Sequence, residues 1–347
     1  MIRVALILPS LANRGPVIVA NELARRLAEH GHICTVYYFD DIQDLDFPCK
    51  TIRIKESEKI DFEKYDVIHS HGMRPDKYIY KNKPKHKIST LFISTLHNYI
   101  FEDLKYQYNL LISIFFGRLW INWLSRHDII VTLSQHAVEY YRRRISAEKL
   151  TFVFNSRTID SSKSLSQDER LEVKAFKGES TLIGVNSLLT PRKGVDLLIS
   201  NLHRLPEYRL FIVGTGKSQK HLEKLADKCG VANRCYFAGY RKDAYRYLGY
   251  YDILAMPSRS EGFGLSLLEA AYYQVPVVAS DIPIFKEIFT SDEVSFFNLN
   301  NPSTIVNAIH KATSNEDMAN KMNRKYREKY SPEMFYEQYL KIYNGEF

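Results

Sequence analysis

The strongest constraint on the fold is a pattern of apolar segments followed by residues at helical spacing, and it occurs twice along the chain. In the first half the uninterrupted apolar run Val4–Leu8 indicates a buried strand. A helical pattern follows it, beginning near Ile18 and stopping at Gly31. Further strands are predicted at residues 33–39, 67–68, 91–95 and 129–133. Strand–helix–strand repeats at this spacing predict a doubly wound α/β sheet.

The second occurrence begins after a serine-rich stretch, residues 160–168, which lacks apolar periodicity and is predicted to link two domains. Strands are expected at 181–185, 209–213, 235–238, 253–256 and 275–279. A chain of 347 residues is long enough for two domains. We therefore predict two Rossmann-like domains, 1–165 and 166–330, facing each other across a cleft. A C-terminal helix within 331–347 is expected to complete the first, and ligands should bind at the carboxyl ends of the strands.

Composition narrows the class of protein. The four cysteines form no C-x-x-C pair, so reduced thiols are expected rather than a zinc site. No secretory signal opens the chain, and no apolar run reaches the roughly 18 residues of a membrane span. A cytoplasmic location is therefore predicted, with the cytoplasmic face of the inner membrane as the alternative. Residues 1–165 carry 24 Lys and Arg against 18 Asp and Glu. This basic half suits an anionic partner but does not identify one, and no nucleic-acid partner is predicted.

Two nucleotide-binding motifs are absent. The segment Gly214–Ser218 suggests a P-loop, but that motif needs a glycine where this chain has Phe211. The G-x-G-x-x-G fingerprint of nicotinamide-binding domains is also missing from both first strand-to-helix turns. An NTPase and a dehydrogenase are therefore not expected. Gly214 is instead expected to end a strand beside a nucleotide.

The segment 257–270 carries the most informative chemistry. A predicted strand ends at Pro257, a loop with Gly262 and Gly264 follows, and helical spacing begins at Leu265. The free N–H groups and the dipole of such a helix N-terminus favour an anion. Glu269, about one turn inside the helix, could then contact ribose hydroxyls.

The two glutamates of this segment, Glu261 and Glu269, match the E-x7-E motif of retaining glycosyltransferases with the GT-B fold. The run E-G-F-G-L-x-x-x-E-A resembles glycosyltransferase family 4, and the resemblance extends over about 181–290. It implies a nucleoside diphosphate sugar as donor, with Glu269 on ribose and Glu261 on the donor sugar. It further implies that the segment around Tyr240 lies by the base. The backbone that contacts the sugar and phosphates would be that of Phe263, Gly264, Leu265 and Ser266.

The resemblance also implies a pair of cations that hold the diphosphate. Lys193 matches the lysine of the family, whereas the position of its arginine is occupied by Ser187. Arg192 is the candidate replacement, and a single cation with backbone groups is the alternative. Fixed cations lower the barrier because negative charge builds on the leaving diphosphate. The other interpretation of Arg192 and Lys193 is a pair of exposed turn charges.

In the first half, His97 follows a predicted strand and resembles the T-x-H position of the family, which implies a place near the donor sugar and acceptor. Gly15 lies in the loop that approaches the donor phosphate in the family, although only one glycine is present here. His69 and His71 leave another strand, and hydrogen bonding is predicted for them rather than metal binding. The family generally needs no metal, so neither a metal nor another cofactor is expected.

The segment Tyr108–Leu124 is rich in large apolar and aromatic residues, with Arg118 as its one charge. A core helix packed against the C-terminal helix Pro332–Tyr343 is the preferred interpretation. The alternative is a helix lying in a membrane interface, because basic residues flank the segment.

These observations predict a retaining, metal-independent glycosyltransferase that moves a sugar from a nucleoside diphosphate, with UDP favoured, to a hydroxyl of a glycan acceptor. A lipid-linked intermediate of surface polysaccharide, such as O antigen or capsule, is the predicted acceptor. Two alternatives remain: a sugar-nucleotide-binding protein without transferase activity, and a GT-B-type sugar-nucleotide epimerase.

Overall fold

The computed structural model of the protein describes residues 1–315 and 317–346. The chain divides into two compact units. Unit 1 comprises Met1–Thr158 and the chain from Tyr330 onward, and unit 2 comprises Ile159–Lys329. The boundary between Thr158 and Ile159 lies slightly before the predicted position at residue 165.

Unit 1 is built on a seven-stranded sheet whose strands pair in parallel. The strand order is β3-β2-β1-β4-β5-β6-β7, so the order reverses between β1 and β4. The strands are β1 Arg3–Leu8, β2 Ile33–Tyr38, β3 Lys50–Arg53, β4 Val67–His71, β5 Leu91–Thr95, β6 Ile129–Thr132 and β7 Leu150–Phe152. The first five helices are α1 Gly15–Glu29, α2 Met73–Asn82, α3 Ile100–Gln107, α4 Leu110–Leu124 and α5 Gln135–Tyr141.

Unit 2 repeats the plan with a six-stranded parallel sheet of order β10-β9-β8-β11-β12-β13. Its order reverses between β8 and β11, which in such sheets is where ligands bind. The strands are β8 Thr181–Asn186, β9 Tyr208–Val213, β10 Cys235–Gly239, β11 Ile253–Met256, β12 Val277–Ser280 and β13 Ser295–Phe297. The helices are α6 Gln167–Lys177, α7 Val195–Asn201, α8 Gln219–Lys228, α9 Leu265–Tyr273, α10 Pro283–Ile288, α11 Ile305–Ser314 and α12 Asp317–Lys329.

The C-terminal helix, α13 (Pro332–Tyr343), belongs to unit 1. Its start is encoded locally, because the Ser331 side chain accepts the N–H of Met334 and proline stands at the first helical position. Two tyrosine hydroxyls of the helix then form hydrogen bonds with histidines in or beside the sheet. Tyr336 contacts His32 Nε2 at 2.8 Å, and Tyr343 contacts His69 Nδ1 at 2.8 Å.

The two parallel α/β sheets confirm the predicted fold class, and the differences are local. The short strands β3, β7 and β13 were not predicted. The expected linker ends early, because Ser166 and Glu169 form a capping box that starts α6 at Gln167.

The apolar segment before Leu124 does not form a buried core helix along its whole length. α4 packs against α2 and α3, while α13 packs against α1. The second half of α4 contacts the protein through the buried Leu124 and the hydrogen-bonded Trp120. In the first half Ser113 is buried and its hydroxyl donates to the carbonyl of Phe101 in α3 at 2.6 Å. The large apolar side chains of the first half face solvent, with Leu111 79% and Phe115 61% exposed. The preferred core interpretation is therefore wrong for this half of the helix.

A buried polar network joins α4 to the sheet of unit 1. The Trp120 indole N–H donates to Asp76 Oδ2 at 2.7 Å, and the Ser70 hydroxyl donates to Asp76 Oδ1 at 2.6 Å. His127 Nε2 lies 3.1 Å from the Ser70 hydroxyl. Burial raises the pKa of Asp76 to about 6, although both donated hydrogen bonds favour the carboxylate. The network fixes the second half of α4 in place.

Candidate functional site

The loop between β11 and α9 carries the predicted donor-binding segment of unit 2. Glu261 lies on this loop and is only 6% exposed. The loop enters the helix through Gly264, whose φ of 98° is in the region that favours glycine. A Cβ at Gly264 would also lie 2.7 Å from the Phe285 ring, so the packing of the loop requires glycine here.

Two cations converge on the Glu261 carboxylate. The Lys193 ammonium donates to Oε1, and the Arg192 guanidinium lies 3.2 Å from Oε2. The Ser258 hydroxyl donates to Oε1 at 2.8 Å. The structure thus brings together residues that are 68 and 69 positions apart in the sequence. Because Arg192 and Lys193 are largely covered, at 20% and 19% side-chain exposure, the interpretation as exposed turn charges is wrong.

The charged groups of this cluster set the ionisation state of Glu261. Burial by itself would raise the pKa of Glu261, but the positive charges of Lys193 and Arg192 hold it at about 2. The glutamate is therefore ionised at neutral pH and faces both cations. The cations lie in a poorly solvated place, where positive charge attracts an anion more strongly than at a free surface.

Arg259, which the sequence did not single out, connects the loop that carries Glu261 to the segment that carries Arg192 and Lys193. Arg259 makes a two-pronged ion pair with Asp196 at 2.9 and 2.6 Å and donates to the carbonyl of Pro191 at 2.6 Å. Its backbone N–H donates to the carbonyl of Arg192 at 2.7 Å. Arg259 stands inside the glycine-loop motif, but its partner Asp196 is 63 residues away, so local spacing gives no signal of the pair.

The first turn of α9 follows the loop that carries Glu261 and suits an anion. The helix begins at Leu265, and Gly264 at its N-cap has no side chain to cap the first N–H groups. Ser266 lies in the first turn, and Glu269, which is 8% exposed, lies one turn further along. The Phe263 side chain is 3% exposed and packs inside the unit. The predicted ligand contact of Phe263 would therefore be made by its backbone.

Gly214 and Tyr240 follow the neighbouring strands β9 and β10. The Gly214 N–H donates to the carbonyl of Gly239 at 2.8 Å, and a Cβ at Gly214 would lie 1.9 Å from the carbonyl oxygen of Ser187. Tyr240, the next residue after Gly239, is 56% exposed. Ser187, at the position of the family arginine, has a buried hydroxyl without a hydrogen-bond partner among the described residues. The carboxyl ends of β8, β9 and β10 thus approach each other closely around Gly214.

The predicted residues of unit 1 lie at the carboxyl ends of its strands. His97 follows β5, and its Nε2 is 2.8 Å from Nδ1 of His71, which ends β4. The structure places His71 beside His97, a pairing that the sequence did not predict. Gly15 opens α1 with Pro16 after it.

The comparisons with known proteins agree with these two units. Residues 166–329 match the model of glycosyl transferases group 1, and residues 14–157 match that of glycosyltransferase family 4. A curated relative is similar along the whole chain. It is the O-antigen biosynthesis glycosyltransferase WclY from Escherichia coli, 31% identical over 354 residues that cover 99% of both proteins. The chain belongs to glycosyltransferase family 4. The resemblance read from the E-x7-E motif is thereby confirmed.

Solved structures place the glycosyltransferase in the GT-B fold. Anabaena Alr3699/HepE, solved in complex with UDP-glucose, superposes with a TM-score of 0.81 at 16% identity, covering 99% of this chain and 100% of the other. WaaG, a glycosyltransferase of lipopolysaccharide biosynthesis, superposes with a TM-score of 0.70 at 16% identity and covers 99% and 100%. At this identity the likeness establishes the fold, and the chemistry of this glycosyltransferase must be argued from its own residues. Among the described residues, no helix is long and apolar enough to cross a membrane.

Proposed function

We propose that this glycosyltransferase transfers a sugar from a nucleoside diphosphate, with UDP favoured, to a hydroxyl of a lipid-linked glycan in the synthesis of a surface polysaccharide, retaining the anomeric configuration. The observation that carries the proposal is the convergence of Arg192 and Lys193 on Glu261, next to the loop that opens α9. The two cations and the N–H groups of a helix start suit a diphosphate. The name of WclY supports an O-antigen-type product, and the UDP-glucose bound to HepE supports UDP.

In the proposed reaction the bond between the donor sugar and the diphosphate breaks, and its electrons go to the diphosphate. The acceptor oxygen forms the new bond to the sugar on the same face. The departing diphosphate takes the acceptor proton. Arg192 supplies the second positive charge that the family arginine would supply, because it reaches the same carboxylate as Lys193. Lys193, Arg192 and the α9 N-terminus neutralise the charge of the leaving group, so no metal ion is needed in this proposal. His97 of unit 1 contacts the substrate.

The reaction is tested with purified protein, a panel of UDP, GDP, ADP and CMP sugars, and a short lipid-linked acceptor. We expect transfer from a UDP sugar, a product whose anomeric configuration by NMR equals that of the donor, and no loss of rate in EDTA. An inverted linkage would contradict retention, and an EDTA-sensitive rate would contradict metal independence. Nucleotide binding without transfer or hydrolysis would favour a binding protein. Conversion of the donor sugar without acceptor would favour an epimerase.

Glu269→Ala is expected to weaken UDP binding by about 1–2 kcal/mol, because a pair of buried ribose hydroxyls would lose its acceptor. The side chain is 8% exposed and lies one turn into α9. Isothermal titration calorimetry with UDP measures the change. Glu328→Ala, at an exposed position of α12, is the matched control. Equal affinity of wild type and Glu269→Ala would show that ribose binds elsewhere.

We propose that the exposed first half of α4 docks the enzyme on the cytoplasmic face of an anionic membrane. The apolar side chains there are large and adjacent. At the other end of α4, Arg126 donates to the carbonyls of Tyr80 and Lys83, where α2 leads into a lysine-rich segment. Lys81, Lys85 and Lys87 of that segment are exposed. Basic residues near an anionic bilayer contribute about 1 kcal/mol each. The exposed apolar residues of the helix are Leu110, Leu111, Ile114, Phe115 and Phe116.

Leu111→Glu combined with Phe115→Glu should reduce binding to phosphatidylglycerol vesicles at low salt by at least about tenfold, since both apolar contact and charge become unfavourable. Co-sedimentation measures the bound fraction. Leu171→Glu, at a position of α6 that is 59% exposed, controls for a new surface charge on unit 2. Trp120 is unsuitable for this test because its indole N–H holds Asp76. Undiminished vesicle binding of the double variant would contradict the docking surface.

A further inference from the structure

Three imidazole rings lie against one another at the carboxyl ends of β4 and β5. The ring of His71 is between the other two, with centroid distances of 4.3 Å to His69 and 5.1 Å to His97. His69 and His71 are buried, and His97 is half-buried. Burial lowers the pKa of His97 to about 3 and that of His71 well below its ordinary value. All three rings are therefore neutral at pH 7, and each carries one N–H.

The hydrogen bonds of the central ring are asymmetric. His71 Nδ1 shares a hydrogen with His97 Nε2 across 2.8 Å. His71 Nε2 is buried and has no hydrogen-bond partner among the residues described. His69 does not compete for either atom, because its two nitrogens contact Thr95 at 2.7 Å and Tyr343 at 2.8 Å.

This asymmetry selects a tautomer for the pair. If His97 Nε2 donated the shared hydrogen, His71 would carry its own hydrogen on Nε2, as a buried N–H without an acceptor. If His71 Nδ1 donates instead, Nε2 of His71 is left as a bare acceptor. Unpaired buried N–H groups are rarer in proteins than under-satisfied acceptors, so the second arrangement is favoured. His97 must then accept through Nε2 and carry its hydrogen on Nδ1.

We propose that His71 is a positioning residue that fixes the ring and tautomer of His97, so that His97 presents Nδ1–H as a hydrogen-bond donor to the substrate. The role of His97 in catalysis rests on the proposed function, whereas the tautomer rests on the geometry of unit 1 alone. A fixed donor at this position binds a sugar hydroxyl or an oxygen that gains negative charge, and it does not take up a proton. His97 is thus assigned an orienting contact, and proton acceptance is left to the diphosphate.

The tautomer is read directly by ¹⁵N NMR of the full-length protein labelled at histidine, with the His97 signals assigned from their loss in His97→Gln. We expect a protonated Nδ1 and an unprotonated Nε2 for His97 at pH 7.5. In His71→Phe, which keeps a ring but offers no donor, the His97 signals should shift towards a mixture of tautomers. In His71→Asn, whose amide nitrogen takes the place of Nδ1, the original pattern should return. A wild-type His97 with its hydrogen on Nε2 would overturn the proposal, even if no variant folds.

The kinetic consequence is tested on the same variants. His71→Phe should lower kcat about tenfold with KM changed less than threefold, and His71→Asn should recover most of the loss. His86→Asn, at a position of unit 1 whose side chain is 71% exposed, should have no effect. A wild-type kcat in His71→Phe would overturn the positioning role while leaving the transferase assignment intact. If the wild type transferred no sugar at all, the proposed function would fail, and the NMR spectra would still decide whether His71 sets the tautomer of His97.

Discussion

Replacing Lys193 by alanine is expected to lower kcat for sugar transfer by at least about a hundredfold, or roughly 2.7 kcal/mol of transition-state stabilisation. The ammonium lies against Glu261 in a place where both side chains are largely covered. A charge fixed there in advance costs no reorganisation when the diphosphate becomes more negative. Because the charge of the leaving group grows during bond cleavage, kcat should fall more than the affinity for UDP.

The Lys193→Ala experiment needs a control for the structural part of the effect, because removing Lys193 also leaves Glu261 with less positive charge nearby. Lys193→Arg keeps the charge and should recover part of the rate. Lys220→Ala, at an exposed position of α8, should leave kcat unchanged. Thermal unfolding of each variant shows whether unit 2 stays folded. If a folded Lys193→Ala protein kept its kcat within threefold, the diphosphate would not bind at this cluster.

The parts of the donor region that the sequence could predict are those encoded locally. Glu261, Gly264 and Glu269 lie within nine residues, and a strand, a glycine loop and a helix start can be read from such a segment directly. Lys193 was named because a family motif places it, and Arg192 was named as the candidate replacement for the family arginine, whose position is occupied by Ser187. The pair of Arg259 and Asp196 could not be read this way, because only the packing of α7 beside the loop brings the two residues together.

The apolar strands predicted the fold, and the strands that escaped prediction have two physical reasons. β3 lies at one edge of its sheet and is mostly exposed, so its residues Lys50–Arg53 show no buried apolar run. β7 and β13 have three residues each, which is too short for a recognisable apolar pattern.

The exposure of α4 shows a different limit of sequence patterns. The sequence shows that Leu111 and Phe115 are apolar, but their burial depends on which helices pack around them.

The contact between His71 and His97 shows the same limit in the sheet. Each histidine was noted on its own strand, yet their closeness follows from the register of β4 against β5, which sets His71 opposite Thr95. Register between distant strands is set by tertiary packing and is not contained in either segment alone.

Lowering the pH from 7 to 5 is expected to destabilise unit 1 because it contains neutral histidines that cannot be protonated while it is folded. Burial lowers the pKa of His69 and of His127 to about 3 from an ordinary value of 6.5. The unfolded chain therefore binds protons that the folded unit does not, and stability is lost as the pH falls below 6.5. Each of the two histidines costs about 2 kcal/mol by pH 5.

One buried group acts in the opposite direction. The pKa of Asp76 is raised to about 6 from 3.8, so the folded unit binds this proton more tightly than the unfolded chain does. The stabilisation that Asp76 contributes to the folded unit grows as the pH falls through 6, and it offsets about 1 kcal/mol of the loss at pH 5. The low pKa of Glu261, about 2, has no influence in this range, because that carboxyl is ionised in both states above pH 5. For His69, His127 and Asp76 together the net loss between pH 7 and pH 5 is about 2–3 kcal/mol. The buried His71 and His97, whose pKa values are also lowered, add to this loss.

The experiment is urea unfolding at several pH values, followed by tryptophan fluorescence. Both tryptophans of the chain, Trp120 and Trp123, lie on α4 and so report on unit 1. His69→Gln keeps a hydrogen-bonding side chain without a titrating group, and it should flatten the slope of the unfolding free energy by about 1.4 kcal/mol per pH unit between pH 5 and 6. His86→Gln is the matched control, because the His86 side chain is 71% exposed. Equal slopes for wild type and His69→Gln would mean that His69 takes up its proton in the folded unit, since only then would its replacement leave proton uptake on unfolding unchanged.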